Sequence, residues 1–282
     1  MTQTTSPTRI TRRACGFVAA AGLAAGIAST AAAAPIAYEG FDYTAGGDLS
    51  GLSGGTGFDE AWNDPGAGDN NYVVTTPGLT YGNLLVSGNA VTYSGPSNGG
   101  NYQTTRSLSG SFNTFAEGSQ NWLAFLIDPA SSVADAGVSF GPNSLKVEIN
   151  NSNLDISSFG GNLASVDISG DLLDGGNLVI AKVSKTYAGA APLTTEVWFN
   201  PTDFSSEVAL GTPTLTAVQN GTNFAYDFIN IQSNFFLGQV IDEIRVANDS
   251  FEGLGLAVIP EPASLALLGL GGFAMLGRRR KA

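Results

Sequence analysis

The chain of 282 residues contains no histidine and a single cysteine, Cys15, near its N-terminus. The rest of the chain therefore has no Ser-His-Asp or Cys-His catalytic apparatus, and the common zinc and copper sites are excluded. No intramolecular disulfide can form, so the fold must be held by its own core. Carboxylate chemistry and calcium bound by oxygen ligands remain open.

Basic residues are also scarce, and most of them lie at the two ends. Three of the 12 lysines and arginines precede Ala14 and four follow Gly277, whereas all 24 acids lie between these groups. Five cations against 24 acids give the part in between a formal charge of about −19. Nucleic acid and anionic lipid both require a basic surface, so no nucleic-acid partner is expected.

The N-terminus has the organisation of a secretory signal peptide. Three arginines precede an uncharged stretch from Ala14 to Ala33 that is rich in alanine and glycine, and the small side chains at its end suit signal peptidase. We expect residues 1–33 to form a signal peptide helix that is cleaved near Ala33 or Ala34. The Arg12-Arg13 pair leaves both the general secretory route and the twin-arginine route open.

The C-terminus contains three elements in a fixed order. Pro260-Glu261-Pro262 is followed by an uncharged run over about 263–277 and then by the basic cluster 278–281. The run is at the short end of the length that spans a bilayer as a helix, and the cations after it would stay on the cytoplasmic side. We therefore expect a transmembrane helix at about 263–277, with the body outside the membrane.

This tail, residues 256–282, resembles the PEP-CTERM sorting signal of Gram-negative bacteria. The residues that carry the resemblance are Pro260, Glu261 and Pro262, followed after the short helix by Arg278, Arg279 and Arg280. Ile259 departs from the valine that is usual in the family. The resemblance implies recognition by an exosortase, cleavage near the motif, and delivery to the cell surface, outer envelope or extracellular matrix after transient anchoring in the inner membrane. The alternative is a plain anchor that is never cleaved.

The body, residues 34–255, has the pattern of one all-β domain. Short apolar runs rich in β-branched and aromatic residues alternate with turns of Gly, Asn, Ser and Asp, and no helical periodicity of comparable length appears. We expect ten or more strands in two antiparallel sheets packed face to face as a β-sandwich. The predicted strands are 72–76, 84–87, 90–93, 122–127, 137–140, 145–149, 178–184, 194–199, 224–231 and 239–246.

Both ends of the body resemble the first and last strands of concanavalin A-like, laminin-G-like jelly rolls in exported bacterial proteins. The resemblance lies in segments 38–43 and 54–58 with Trp62 at one end, and in segment 239–246 at the other. It implies that the first and last strands lie side by side. It also implies the sugar-related roles of many such proteins, although a fold alone does not confer a function.

Two segments make specific predictions about burial. In 145–149, aliphatic residues alternate with Lys146 and Glu148, which predicts a strand whose charged face meets water. In the last strand, the adjacent Asp242 and Glu243 should face opposite sides of the sheet. Glu243 would then form a surface pair with Arg245, and Asp242, on the face of Ile244, would bind a loop backbone.

No catalytic residue is predicted, because the Glu-x-Asp-x-x-Glu pattern of jelly-roll glycosidases is absent and no other pair of carboxylates is evident. Trp198 and Glu196 are instead candidates for carbohydrate binding. If Val197 points inward, these two side chains share the outer face, where an exposed indole beside a carboxylate would form a platform for a sugar. The alternative is a tryptophan that a loop covers.

A loop at 63–71 contains Asp64, Asp69 and Asn70, which offer the oxygen ligands that calcium prefers. These residue types are equally common in ordinary turns, and no other cofactor is expected.

The predicted function is that of a non-enzymatic cell-surface or extracellular-matrix protein, structural or weakly carbohydrate-binding. Its partners would be the secretion machinery, an exosortase-type enzyme, a polysaccharide and, before processing, the membrane. A polysaccharide-active hydrolase or lyase on the same scaffold is the alternative.

Overall fold

A computed structural model describes residues 34–63, 72–95, 101–112, 118–129, 135–140, 145–158, 161–185, 192–220, 226–234 and 238–256. These residues form 14 strands and two short 3-10 helices. The predicted signal peptide and C-terminal transmembrane helix lie outside them. Within the described ranges, no helix has the length and hydrophobicity needed to cross a membrane.

In chain order the strands are β1 Ala37–Glu39, β2 Tyr72–Thr75, β3 Ala90–Tyr93, β4 Asn101–Phe112, β5 Gln120–Asp128, β6 Asp135–Phe140, β7 Lys146–Asn150, β8 Asn153–Ser158, β9 Gly161–Asp167, β10 Asn177–Lys185, β11 Leu193–Phe199, β12 Leu215–Gln219, β13 Tyr226–Asn234 and β14 Val240–Asn248. The 3-10 helices are Val208–Leu210 and Phe251–Leu254.

The strands form two antiparallel sheets. Sheet 1 has eight strands in the order β12-β11-β10-β5-β14-β3-β2, with β1 also paired to β14, and sheet 2 has six in the order β4-β13-β6-β7-β8-β9. One core cluster contains buried residues from both sheets, such as Phe125 and Val138, so the sheets pack face to face. The predicted all-β sandwich is confirmed, and so is the pairing of the first strand with the last, in which Tyr38 lies opposite Arg245.

A buried ion pair crosses the layer between the two sheets. Glu39 of β1 and Arg106 of β4 bind each other directly, with side chains 1% and 3% exposed. Glu39 also accepts hydrogen bonds from the Tyr43 hydroxyl at 2.8 Å and the Trp62 indole N–H at 3.1 Å. Arg106 donates further to the carbonyls of Glu60 and Gly54 at 2.8 and 2.7 Å. Because both charges have several partners, their burial is compensated.

The outer face of sheet 1 is covered by other segments of the chain rather than exposed to solvent. A second cluster packs there around Trp122 and Trp198, whose rings stack with centroids 5.9 Å apart. Its cover comes from segments 79–84, 204–210 and 251–256. Sheet 1 is therefore buried on both faces along its central strands, which explains why β5 and β10 are nearly continuous hydrophobic runs.

Some local predictions were wrong. Residues 84–87 form no strand and belong to the segment that covers Trp122. The charged face of β7 is not open to water, because the Lys146 and Glu148 side chains are only 15% and 7% exposed. The polar strands β4, β8, β9 and β12 had not been predicted at all.

Candidate functional site

The structure places Trp198 and Glu196 on the outer face of sheet 1, as the alternation predicted, and Val197 in the core between the sheets. The indole is nevertheless only 5% exposed, and its N–H donates to the Gly211 carbonyl at 3.0 Å. Glu196 lies 3.5 Å from the ammonium group of Lys182. The prediction of an exposed platform at Trp198 is therefore wrong, because the segment that follows β11 covers the ring.

The adjacent acids of β14 also differ from the prediction. Ile241 and Ile244 both point into the inter-sheet core, so the two residues between them, Asp242 and Glu243, share the outer face. A β-bulge produces this arrangement: the pairing of β14 with β5 shifts between Asp242 and Arg245, and Glu243 has a φ of 54°. Asp242 therefore does not share a face with Ile244.

Both acids bind the backbone of the segment between β2 and β3. Asp242 accepts from Leu79 N at 2.8 Å, which confirms that it ties down a loop, and Glu243 accepts from Ser87 N at 2.6 Å. The predicted pair of Glu243 with Arg245 forms at 2.5 Å, but it is buried rather than at the surface. Burial, followed by the nearby charge of Glu243, raises the pKa of Asp242 to about 8. The two acids therefore hold the segment between β2 and β3 in a fixed position against β14.

Three loops of sheet 1 surround a groove of about 490 Å³, which we call the loop groove. Residues 80–83 contribute from the segment after β2, residues 173–176 from the segment before β10, and residues 201–204 from the segment after β11. This volume lies within the range of small-molecule binding sites in proteins.

The floor of the loop groove is aromatic. The Tyr81 and Phe204 rings pack with centroids 5.9 Å apart, and the Tyr81 hydroxyl donates to the Pro201 carbonyl at 2.9 Å. Burial raises the pKa of Tyr81, so its hydroxyl is protonated at neutral pH. Around this floor lie the exposed polar side chains of Asn83, Asp174 and Thr202, together with Leu173, an apolar side chain that is 49% exposed.

Two asparagines hold the loop that carries Asp174. Asn177 is fully buried, and its amide oxygen accepts from Leu173 N at 2.8 Å while its nitrogen donates to the Leu173 carbonyl at 3.1 Å. Asn200 donates to Asn177 and to the Asp171 carbonyl, each at 2.8 Å. Since the buried Asn177 and the partly buried Asn200 bind the backbone of Leu173 and Asp171, Asp174 is presented on a fixed backbone rather than on a free turn.

A second arrangement of polar groups lies on the outer face of sheet 2. Glu148 of β7 stands directly opposite Asp155 of β8, and both residues are 6% exposed. Ser157 donates to Glu148 at 3.1 Å, Ser165 donates to Asp155, and Lys146 forms an ion pair with Glu148. Directly opposed residues of an antiparallel pair have Cβ atoms about 5 Å apart. The structure thus brings together two carboxylates that could not be paired from the sequence.

The protonation of this acid pair is perturbed. Burial, and then a hydrogen bond with Asp135, raise the pKa of Glu148 to about 8, although Lys146 acts in the opposite direction. A carboxyl group that keeps its proton at neutral pH can donate a hydrogen bond or a proton, whereas an ordinary carboxylate only accepts.

Sequence reasoning missed the residues of the loop groove because Asn83, Asp174 and Thr202 stand in turns of the same composition as every other turn in the body. The calcium candidates Asp64, Asp69 and Asn70 lie outside the described residues, as does the sorting motif. Within the described ranges, no group of three or more acids is placed to hold a metal ion.

Comparison with protein families matches residues 258–281 to the PEP-CTERM protein-sorting motif. The predicted sorting tail is thereby confirmed. The motif implies that the protein is exported and that an exosortase is its processing partner. No curated protein matches the chain.

Several solved structures are similar to the chain at low sequence identity. The globular domain of T. cruzi calreticulin has 12% identity and a TM-score of 0.43, over 69% of this chain and 87% of that one. A carbohydrate esterase from the Shiga toxin-encoding bacteriophage phi24B has 9% identity and a TM-score of 0.40, over 77% and 98%. The carbohydrate recognition domain of Emp47p has 10% identity and a TM-score of 0.38, over 73% and 94%.

Proposed function

We propose that the body is a non-enzymatic carbohydrate-binding domain of a cell-surface or matrix protein, and that the loop groove is its binding site. The observation that carries the proposal is the composition of this groove. The half-buried ring of Tyr81, which packs on the buried Phe204, and the exposed Leu173 meet the C–H groups of a sugar, while Asn83, Asp174 and Thr202 bind its hydroxyls.

The charge of the site favours a neutral sugar. Asp174 is the charged side chain of the groove, and the surrounding body is strongly acidic, so a sugar that carries carboxylate or sulfate groups is repelled. A hydroxyl donates to a carboxylate in a hydrogen bond that is stronger than a neutral one. The groove takes one or two sugar units, so we expect weak binding to a single site and stronger retention on a polymer.

Retention of the full chain, purified in mild detergent, on insoluble neutral polysaccharides tests this proposal. Asp174→Ala and Asn83→Ala should each weaken retention by about tenfold, as expected for a lost hydrogen bond to a charged or amide group. Asp59→Ala removes an exposed acid that does not line the groove and is the matched control. Equal retention of all three variants, or no retention of the wild-type chain, would reject the groove as the site.

A polysaccharide-active hydrolase or lyase is the second candidate function, and the opposed Glu148 and Asp155 favour it. A glycosidase needs two carboxyl groups close together, one of which carries a proton; Glu148 and Asp155 are directly opposed, and the pKa of Glu148 is raised to about 8. Reducing-end assays on common polysaccharides test the idea: activity of the wild-type chain that Glu148→Gln and Asp155→Asn each abolish would support it. If no polysaccharide gives a product, the hydrolase or lyase function is rejected and carbohydrate binding remains as the proposed function.

We further propose that the exosortase removes the tail near Pro260, so that the mature protein no longer has its membrane anchor. The support is the confirmed motif at 258–281. Intact-mass measurement of the cell-associated and released forms tests it. A protein that retains all residues through Ala282 in both fractions would show that the tail is a permanent anchor.

A further inference from the structure

The four edge strands of the two sheets differ in whether another segment of the chain covers them. The free edge of β2 in sheet 1 is covered by the segment after β1, where Gly46 N donates to the Val74 carbonyl at 2.8 Å and Val74 N donates to the Gly47 carbonyl at 2.9 Å. These bonds occupy backbone groups that would otherwise be available to another strand.

The edge strand β4 of sheet 2 is covered by a later part of the same segment. Thr105 and Asn63 exchange two backbone hydrogen bonds of 2.8 Å, and Ser109 N donates to the Gly57 carbonyl at 2.9 Å. Residues 44–63 therefore close both sheets on one side of the sandwich.

The opposite edges, β12 in sheet 1 and β9 in sheet 2, have no such cover in the part of the chain that the structure describes. The two strands lie on the same side of the sandwich and pack against each other. Neither contains lysine or proline, which commonly protect edge strands, and Asp167 at the end of β9 is their one charged residue. Val218 of β12 is 55% exposed.

We propose that this side, β12 together with β9, is an interface through which two copies of the chain associate edge to edge. The backbone groups on the outer edge of β12, which have no partner among the described residues, fit an extended strand. Since two edges end on the same side, the partner that matches both is another sandwich with the same pair of edges. A two-fold axis perpendicular to the sheets pairs β12 with its own copy and β9 with its own copy, both antiparallel.

The charge distribution favours a second copy at this side in particular. Two bodies with a formal charge near −19 repel each other at most surfaces. The uncharged sequence Leu-Thr-Ala-Val-Gln of β12 and the uncharged first six residues of β9 keep this repulsion smallest along the open edges. Association there continues both sheets across the dimer and leaves the loop groove uninvolved.

Cysteine cross-linking in the full chain tests the interface. Thr216→Cys and Val218→Cys, each in a Cys15→Ala background so that the new thiol is unique, place sulfur on the open edge strand. Val208→Cys is the matched control, since Val208 is 91% exposed and lies away from the strand edge. We expect mild oxidation to give a covalent dimer from at least one edge variant and not from the control.

A second variant distinguishes an effect on the interface from an effect on folding. Val218→Lys adds the charge that protects natural edge strands and should weaken dimerisation by about tenfold or more, measured by sedimentation. At a dilution at which both proteins are monomeric, the thermal unfolding midpoint should stay unchanged. Cross-linking of Val208→Cys to the same extent would indicate association through the tail or by collision and would overturn the proposal. A wild-type chain that stays monomeric at high concentration would overturn it as well.

Discussion

Two buried glutamate–arginine pairs lie on opposite faces of β1 and differ in how completely they are enclosed. The inner pair, Glu39 with Arg106, joins the two sheets, and aromatic rings surround it: the guanidinium of Arg106 lies 4.3 Å from the centre of the Phe58 ring. The outer pair, Glu243 with Arg245, lies under the segment between β2 and β3 and borders a groove of about 280 Å³.

The hydrogen bonds of the two pairs show the same difference. Besides Glu39, Arg106 binds the backbone carbonyls of Gly54 and Glu60, which belong to a segment far from Arg106 in sequence. Arg245 binds the carbonyls of Gly255 at 2.6 Å and Leu85 at 2.5 Å, but its Nε has no partner among the described residues. The inner pair therefore fixes the packing of the sheets, whereas the outer pair holds one loop and the end of the body against β14.

Breaking the inner pair should have the largest effect. Arg106→Met leaves Glu39 buried without a countercharge, which costs about 3–5 kcal/mol of unfolding free energy. Denaturant-induced unfolding measures this loss. The double variant Glu39→Gln with Arg106→Met removes both charges and should recover most of the stability, so a double variant as unstable as the single one would contradict this account.

Breaking the outer pair should cost less. In Arg245→Met, the two carbonyls lose a charged donor, but water from the adjoining groove can reach Glu243, so we expect a loss of about 2 kcal/mol in the same unfolding experiment. A loss as large as that of Arg106→Met would show that the outer pair is as enclosed as the inner one.

A second acid, Asp242, lies beside the outer pair and makes stability in this region depend on pH. The folded-state pKa of Asp242, about 8, is above its ordinary value of 3.8, so the native state holds a proton that the unfolded chain releases between these pH values. The contribution of Asp242 to the free energy of unfolding is fully present below about pH 4 and is lost as the pH rises to about 8.

Thermal unfolding at pH 5 and pH 8.5 checks this direction. We expect the midpoint of the wild-type chain to fall between these pH values, and each loss of about 1 kcal/mol lowers the midpoint of a domain of this size by roughly 3 °C. Glu148 contributes in the same sense because its pKa is also near 8. Asp242→Asn and Glu148→Gln should therefore each reduce the fall, and the double variant should nearly abolish it. A midpoint that rises toward pH 8.5 would show that the sign is wrong.

The smallest effects should come from the two tyrosines that bind the acids. The Tyr43 hydroxyl donates to Glu39 and accepts from Gly54 N, each at 2.8 Å, whereas the Tyr38 hydroxyl donates to Glu243 at 2.9 Å beside the hydroxyl of Ser87. Tyr43→Phe should cost about 1.5 kcal/mol and Tyr38→Phe about 0.5–1 kcal/mol. If the two variants lose the same unfolding free energy in denaturant, the inner and outer pairs do not differ in how completely they are enclosed.

The strands with apolar alternation could be predicted from the sequence, and β3 was predicted with its full extent, Ala90–Tyr93. The strand β4 could not, because Thr104 and Arg106 occupy two of its inward positions. Arg106 is buried by its long-range partner Glu39, so the apolar periodicity is interrupted where the structure needs an ion pair. Local patterns do not contain this information.

The orientation of the acids in β14 was predicted incorrectly for a different reason. Strict alternation separates Asp242 from Glu243, but the bulge at Glu243 places both on one face, and a glutamate with positive φ is not expected from its residue type. For the candidate site, Glu196 and Trp198 were assigned to the correct face, but the cover over Trp198 depends on how a later segment folds back. The loop groove combines three segments that are distant in sequence, so none of them is distinctive alone.

The position of β14 has a consequence for the timing of folding. Of the described strands, β14 is the last to be synthesised, yet it lies in the middle of sheet 1, between β5 on one side and β3 and β1 on the other. Until it is made, the strands on its two sides have no common neighbour, so sheet 1 cannot assemble as one unit. The sorting motif follows β14 almost at once. The signal for export processing is thus completed only after all the described strands have been made, and a chain that terminates before β14 lacks both this strand and the signal.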